Sequence, residues 1–224
     1  MSETDSFIEE VSEEVRRDRL WGYVRRYGWI AVLLVLVVVG VTAWNEYRKA
    51  QATAQAERLG DAVVAATRED SAEARAAALA EVAPQAGEAA VIVQMRRASA
   101  LLEAGDAQGA REVYEAIVAE TADPVYADLA QLKALILGGD DVAAEDKIAI
   151  LDALSAPGAP FRPLALEQKA IVAIEAGDTE TAITILTELL EDSQSTDALR
   201  GRATQLLIAL GGEVPVTSRL LTGQ

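Results

Sequence analysis

Between Tyr27 and Asn45 the chain carries no charged residue. Within that stretch Trp29-Ile-Ala-Val-Leu-Leu-Val-Leu-Val-Val-Val-Gly-Val-Thr-Ala-Trp44 is almost wholly apolar. Nineteen residues in a helix, at about 1.5 Å each, reach about 28 Å, close to the hydrocarbon thickness of a bilayer. No polar face interrupts the run, as a helix on a water-soluble surface would require. A lone segment in lipid must satisfy its backbone internally, so the many Val residues do not argue against a helix. The run therefore predicts one transmembrane helix, residues 28–45, with Trp29 and Trp44 as interface anchors at its two ends.

The flanks predict the orientation. Arg16, Arg17, Arg19, Arg25 and Arg26 precede the run, and Arg48, Lys49 and Arg58 follow it. The excess of arginine before it places the N-terminus in the cytoplasm and everything after Asn45 on the far side. A cleaved signal peptide is the competing reading, because Val41-Thr42-Ala43 offers small-residue spacing for cleavage after Ala43. The would-be leader region is long and holds seven acids, which favours a retained anchor. Residues 1–27 then form a cytoplasmic segment. Its Ser6-Phe-Ile-Glu9 fits a capping box, and Phe7, Val11 and Val15 share a helical stripe. That segment reads either as a docking arm or as a juxtamembrane helix whose arginines meet lipid phosphates.

Beyond the run, residues 46–212 read as a domain of paired helices, with a tail at 213–224. Gly-Asp recurs at Gly105-Asp106, Gly139-Asp140 and Gly177-Asp178, at spacings of 34 and 38 residues. Five residues after each Gly stand Ala110, Ala144 and Ala182; nine after stand Tyr114, Ile148 and Leu186; twelve after stand Ile117, Leu151 and Leu189. Seven before stand Ala98, Leu132 and Ala170. The Gly ends one helix, the Asp starts the next, and the small residue lets the two approach closely. The spacing predicts hairpins over 88–121, 124–155 and 161–193, preceded by helices to about Thr67 and over 72–82. A last helix over 197–210 closes the array. The pattern resembles the tetratricopeptide repeat, a helix–turn–helix unit of 34 residues. The predicted fold class is all-α: a single N-terminal transmembrane helix followed by a tetratricopeptide-like helical-hairpin solenoid.

Composition removes several kinds of chemistry. The chain has no Cys and no His, so disulfides, thiolate nucleophiles, Cys/His zinc sites and Ser-His-Asp triads are excluded. A formal net charge of −16 argues against nucleic acid as partner. The carboxylates sit at solvated or capping positions and form neither a calcium loop nor a catalytic constellation. No cofactor and no enzymatic activity are expected. The first helix of each predicted hairpin offers a largely apolar candidate partner groove: Ile92, Met95 and Leu102; Tyr126, Leu129 and Ile136; Leu164, Ile171 and Ile174. Ser99, Lys133 and Glu167 fall among them. These side chains either receive an apolar segment of a partner or are covered by neighbouring helices as core.

The layout as a whole resembles the YfgM-like family of ancillary SecYEG translocon subunits. The matching stretches are Arg25-Arg-Tyr-Gly-Trp-Ile-Ala31 leading into the apolar run, Trp44-Asn-Glu-Tyr47 after it, and the degenerate repeats. The resemblance implies a single-pass bacterial inner-membrane protein with a periplasmic repeat domain. It implies the SecYEG translocon and the membrane-anchored chaperone PpiD as partners, with unfolded or apolar client segments emerging from the channel. It implies no catalytic residues. A scaffold for another envelope assembly, such as division, cell-wall synthesis or cytochrome maturation, is the alternative.

Overall fold

The computed structural model describes the backbone of residues 3–215 and the side chains of 25–27, 29–30, 32–139 and 141–215. Arg16, Arg17, Arg19, the Phe7/Val11/Val15 stripe and most of the tail lie outside the described side chains. Nine α-helices form among the described residues: α1 (Glu3–Thr67), α2 (Ala72–Val82), α3 (Ala90–Glu103), α4 (Ala107–Glu120), α5 (Pro124–Gly138), α6 (Ala144–Leu154), α7 (Arg162–Glu175), α8 (Thr179–Glu191) and α9 (Asp197–Ala209). Short 3₁₀ turns cover Ala83–Gln85, Gly87–Ala89 and Gly139–Asp141. The chain divides into two compact units between Gly60 and Asp61.

In the first unit every side chain from Val32 to Val39 is more than half exposed, as are Trp29 and Trp44. Thr42, the one hydroxyl within this stretch, is satisfied by donating to the Val38 carbonyl at 2.7 Å. After Trp44, Gln51 donates to the Tyr47 hydroxyl at 2.8 Å and Lys49 lies 4.0 Å from Glu46. Among the described residues no helix is long and apolar enough to cross a membrane. The continuous apolar stretch whose side chains are described runs only from Val32 to Trp44; Gly28 and Ala31, which lengthen it in the sequence, are outside that set.

In the second unit successive helices stack through three contiguous apolar clusters. The first joins α3, α4 and α5 around Ala98, Ala110, Tyr114, Ile117 and Ala130. The second joins α5, α6 and α7 around Leu132, Leu135, Leu151, Leu154 and Ala165. The third joins α7, α8 and α9 around Leu166, Ala170, Leu186, Leu189, Ala203 and Leu207. Fully buried alanines at the crossings let helix axes approach, and the larger side chains fill the space beside them.

The first and third Gly-Asp turns are the same device. Gly105 and Gly177 adopt φ of 82° and 76°, which a side chain would oppose. The amides of Gly105 and Asp106 close onto the carbonyls of Leu102 and Leu101, at 3.0 and 2.8 Å. Those of Gly177 and Asp178 close onto Ile174 and Ala173, both at 2.9 Å. This paired closure ends the helix. The same aspartates then cap the next helix: Asp106 accepts from the Gly109 amide at 2.8 Å and Asp178 from the Thr181 amide at 3.0 Å. The donor position is Gly109 in one turn and Thr181 in the other; a Cβ at Gly109 would need the Asp106 carboxylate to shift.

The middle turn corrects the repeat alignment. After Gly138 ends α5, Gly139–Asp141 folds into a 3₁₀ turn, and α6 starts at Ala144 after an N-cap, Ala143, that has no side-chain hydrogen bond to offer. α6 therefore starts without the side-chain cap that Asp106 and Asp178 give α4 and α8. Ala144 and Ile148, expected at the hairpin contact, are both exposed, and only Leu151 of the three aligned positions is buried. α5 packs mainly on α4, α6 packs mainly on α7, and the two touch little. The extra Gly and the adjacent acids delay the helix start, which rotates its first turn away from α5.

Two caps link stability to pH. Hydrogen bonds from Thr181 hold the Asp178 carboxyl below the usual carboxylate range. Glu73 is lowered by its own backbone amide, then by Ser71, with Arg75 adding a smaller favourable charge. A depressed folded value means the unfolded chain binds more protons in this range. Their contribution is complete above the ordinary carboxylate values of about 4 and is lost as pH falls through the lower folded values. Urea midpoints are expected to fall between about pH 5 and pH 3, and to fall less steeply in Asp178→Asn. An unchanged slope in that variant would remove Asp178 as a source.

Candidate protein-binding surface

The nine groove residues predicted from sequence all lie on α3, α5 and α7, and none is fully buried. Ile92, Leu102, Ile136 and Leu164 are 48%, 37%, 50% and 39% exposed. Met95, Tyr126, Leu129, Ile171 and Ile174 are half-buried. Met95 packs against the α3–α5 core, so it belongs as much to the fold as to any surface. Val125, at the start of α5, is a further exposed apolar side chain that the groove pattern did not include.

The polar members of the same pattern are satisfied within the protein. Ser99 donates to the Met95 carbonyl of its own helix at 3.1 Å. The Lys133 ammonium lies 5.6 Å from the centroid of the Tyr114 ring, within the range of cation–π attraction. Glu167 is only 7% exposed, and its two carboxylate oxygens accept from Arg202 of α9 at 2.6 and 2.9 Å. The sequence pattern left open whether Glu167 faces a groove or is covered by a neighbouring helix. The closing helix covers it, and the hydrogen bonds that Arg202 donates to Glu167 raise the Arg202 pKa further above its ordinary value.

This fork is the strongest polar tie between α7 and α9. Removing the arginine leaves a buried carboxylate without its partner. Arg202 is itself about half exposed, so water would recover part of the loss. Arg202→Ala is expected to lower stability by about 2 kcal/mol, with Glu167→Gln in the same chain recovering part of it. Chemical denaturation of the single and double variants checks this; a neutral Arg202→Ala would show that the fork holds nothing together.

Other ion pairs bind neighbouring helices in the same way. Arg75 of α2 meets Glu103 of α3 at 2.6 Å, and Lys169 of α7 meets Asp152 of α6 at 2.5 Å. Arg162 contacts Asp192 at 2.9 Å, the Glu188 carboxylate and the Ser155 carbonyl, tying the loop before α7 to the end of α8. These arginines are internal fasteners. Among the described residues no three His, Cys, Asp or Glu side chains are grouped as a metal ion would require.

One cleft was not legible in the repeat pattern. A cleft of about 780 Å³ opens between the two 3₁₀ turns and the start of α3 on one side, and the end of α4 and start of α5 on the other. Tyr126 is the one predicted groove residue that lines it. The signal lay in Pro84-Gln-Ala-Gly87 and in Asp123-Pro124. The two turns widen the gap before α3, and Pro124 occupies the first position of α5 behind the Asp123 cap.

Stacked helical pairs with apolar side chains left open make a protein-interaction module, and such modules are typically non-catalytic. No curated protein and no solved structure matches the chain. A family defined as the tetratricopeptide repeat-like domain matches residues 21–207, from ahead of the apolar run to the end of the α9 core, and the chain belongs to that family.

Proposed function

We propose that this chain is a non-catalytic protein-binding subunit anchored in the bacterial inner membrane by residues 28–45. Its N-terminus is cytoplasmic and its repeat domain periplasmic, and it assists secreted or membrane proteins at the SecYEG translocon together with PpiD, as the YfgM-like resemblance implies. The observation that carries the anchor is the Val32–Val41 stretch of α1, whose apolar side chains are exposed on every side of the helix. Such a surface is stable in lipid and costly in water. Tethering gives the repeats a high effective concentration toward chains leaving a channel in the same membrane. No nucleotide or cofactor is needed for reversible apolar contact.

The test is in-membrane photo-cross-linking from Leu129 and Ile171. Adducts to translocon and chaperone subunits are expected. Ile92→Asp, Ile136→Asp and Leu164→Asp combined should abolish those adducts while helicity is kept, since all three side chains are exposed. Adducts only to division, cell-wall or cytochrome-maturation proteins would replace the translocon with another envelope assembly.

A further inference from the structure

We propose that the cleft beside Tyr126 is a binding site for an extended partner segment that places a Lys or Arg next to a large apolar side chain. This rests on the reading of the chain as protein-binding, but not on the membrane anchor. The cleft joins two kinds of wall. Val91, Ile117 and the Tyr126 ring supply its apolar side, while Glu88, Glu120 and Asp123 supply charge of one sign. No Lys or Arg is among its lining residues. Arg97 donates to the lining residue Gln94 at 3.5 Å.

The acids are available in different degrees. Asp123 is engaged, capping α5 by accepting from the Val125 amide at 2.9 Å. Glu88 and Glu120 are exposed and make no ion pair among the described residues. Exposed acids without an ion pair among the described residues also occur elsewhere, Glu145, Glu180 and Glu191 among them; Glu88 and Glu120 differ in lining a cleft with an apolar wall. That juxtaposition matters because the cleft presents negative potential beside a low-dielectric wall, which favours a cation that also buries apolar surface. Its volume falls within the ~300–1,000 Å³ of pockets that hold small ligands or a few side chains. Both rims are exposed, so a chain can enter and leave at the ends.

The occupant is a segment of another polypeptide. The alternatives are a second copy and residues 216–224 of this chain, which contain Arg219-Leu-Leu221; each is an outcome of the test. The full chain is placed in nanodiscs of zwitterionic lipid, with empty nanodiscs as blank. The probe is a fluorescent decapeptide with Lys-Leu-Trp-Lys at the centre of a Gly/Ser frame and a photo-cross-linker beside the Trp. Its partner probe replaces both lysines by glutamate.

Binding of the lysine probe, weakened by salt, is expected, with the glutamate probe at least about tenfold weaker. Glu88→Gln with Glu120→Gln should weaken the lysine probe by about tenfold. Glu180→Gln with Glu191→Gln, equal in net charge, should leave it within about twofold. Cross-links should fall on residues 83–94 and 117–126. Equal loss in both double variants would reduce the effect to net charge and overturn the site. Cross-links to α7 would also overturn it while leaving the protein-binding reading standing; no cross-link to either probe anywhere on the repeats would count against both. Tighter probe binding after removal of 216–224, with the tail cross-linking into the cleft, would make the tail the occupant and overturn the proposal. Sedimentation of paired copies lost in Glu88→Gln with Glu120→Gln would do the same in favour of self-association.

Discussion

Leu186→Ala is expected to lower the unfolding free energy of the repeat domain by about 3–4 kcal/mol. Leu186 is fully buried in α8 and packs within the cluster that joins α7, α8 and α9. Truncation removes three carbons from a site with helices on both sides, so the loss combines transfer free energy with a cavity that closes only partly. Ile148→Ala is the matched control. It occupies the same aligned position nine residues after the turn glycine, yet it is 41% exposed, and its change should stay below about 1 kcal/mol. Urea titration of the full chain in detergent, followed by far-ultraviolet dichroism, separates the two. Equal losses would mean that the middle unit closes as the outer two do and that the slipped start of α6 is wrong.

The second large effect concerns the apolar run. Val35→Arg with Val38→Arg is expected to release the chain from carbonate-washed membranes. Each arginine near the middle of a spanning helix disfavours insertion by about 2.5–3.5 kcal/mol. Two together offset most of the gain from a segment of this length. Both positions are more than half exposed on α1, so the repeat fold should be untouched and its dichroism unchanged. A doubly substituted chain that stays in the membrane pellet would show that something other than this run holds it there.

Much of the architecture was readable because the decisive signals are local. The ends of α2, at Ala72 and Val82, follow from a serine cap ahead of it and a proline two residues beyond. The Gly105 and Gly177 turns follow from one glycine that accepts positive φ and one aspartate that caps. The middle unit broke the pattern for an equally local reason. Gly138 precedes Gly139, and an added Cβ on Gly138 would come within 2.7 Å of Val142, so the chain folds back tightly before it can begin a helix. Two consecutive glycines followed by two acids were the available sign.

What was not readable is nonlocal. Glu167 reads as a polar position on its own helix, and only α9, 35 residues later, makes it a buried acid. The cleft beside Tyr126 is likewise built by segments on both sides of α3 and α4, none of which carries a binding motif alone. The exposed set Ile92, Leu102, Ile136 and Leu164 was legible as apolar helical spacing, but its exposure depends on which faces the neighbouring helices cover.

The most direct test is a dual topology reporter joined after Gln224, read together with carbonate extraction. A phosphatase domain active only outside the cytoplasm, paired with a fluorescent protein active only inside it, gives opposite signals for the two orientations. The expected result is an active phosphatase, a dark fluorescent protein and a chain that resists extraction. A bright cytoplasmic reporter, or a chain released into the soluble fraction, would contradict the anchored periplasmic repeat protein.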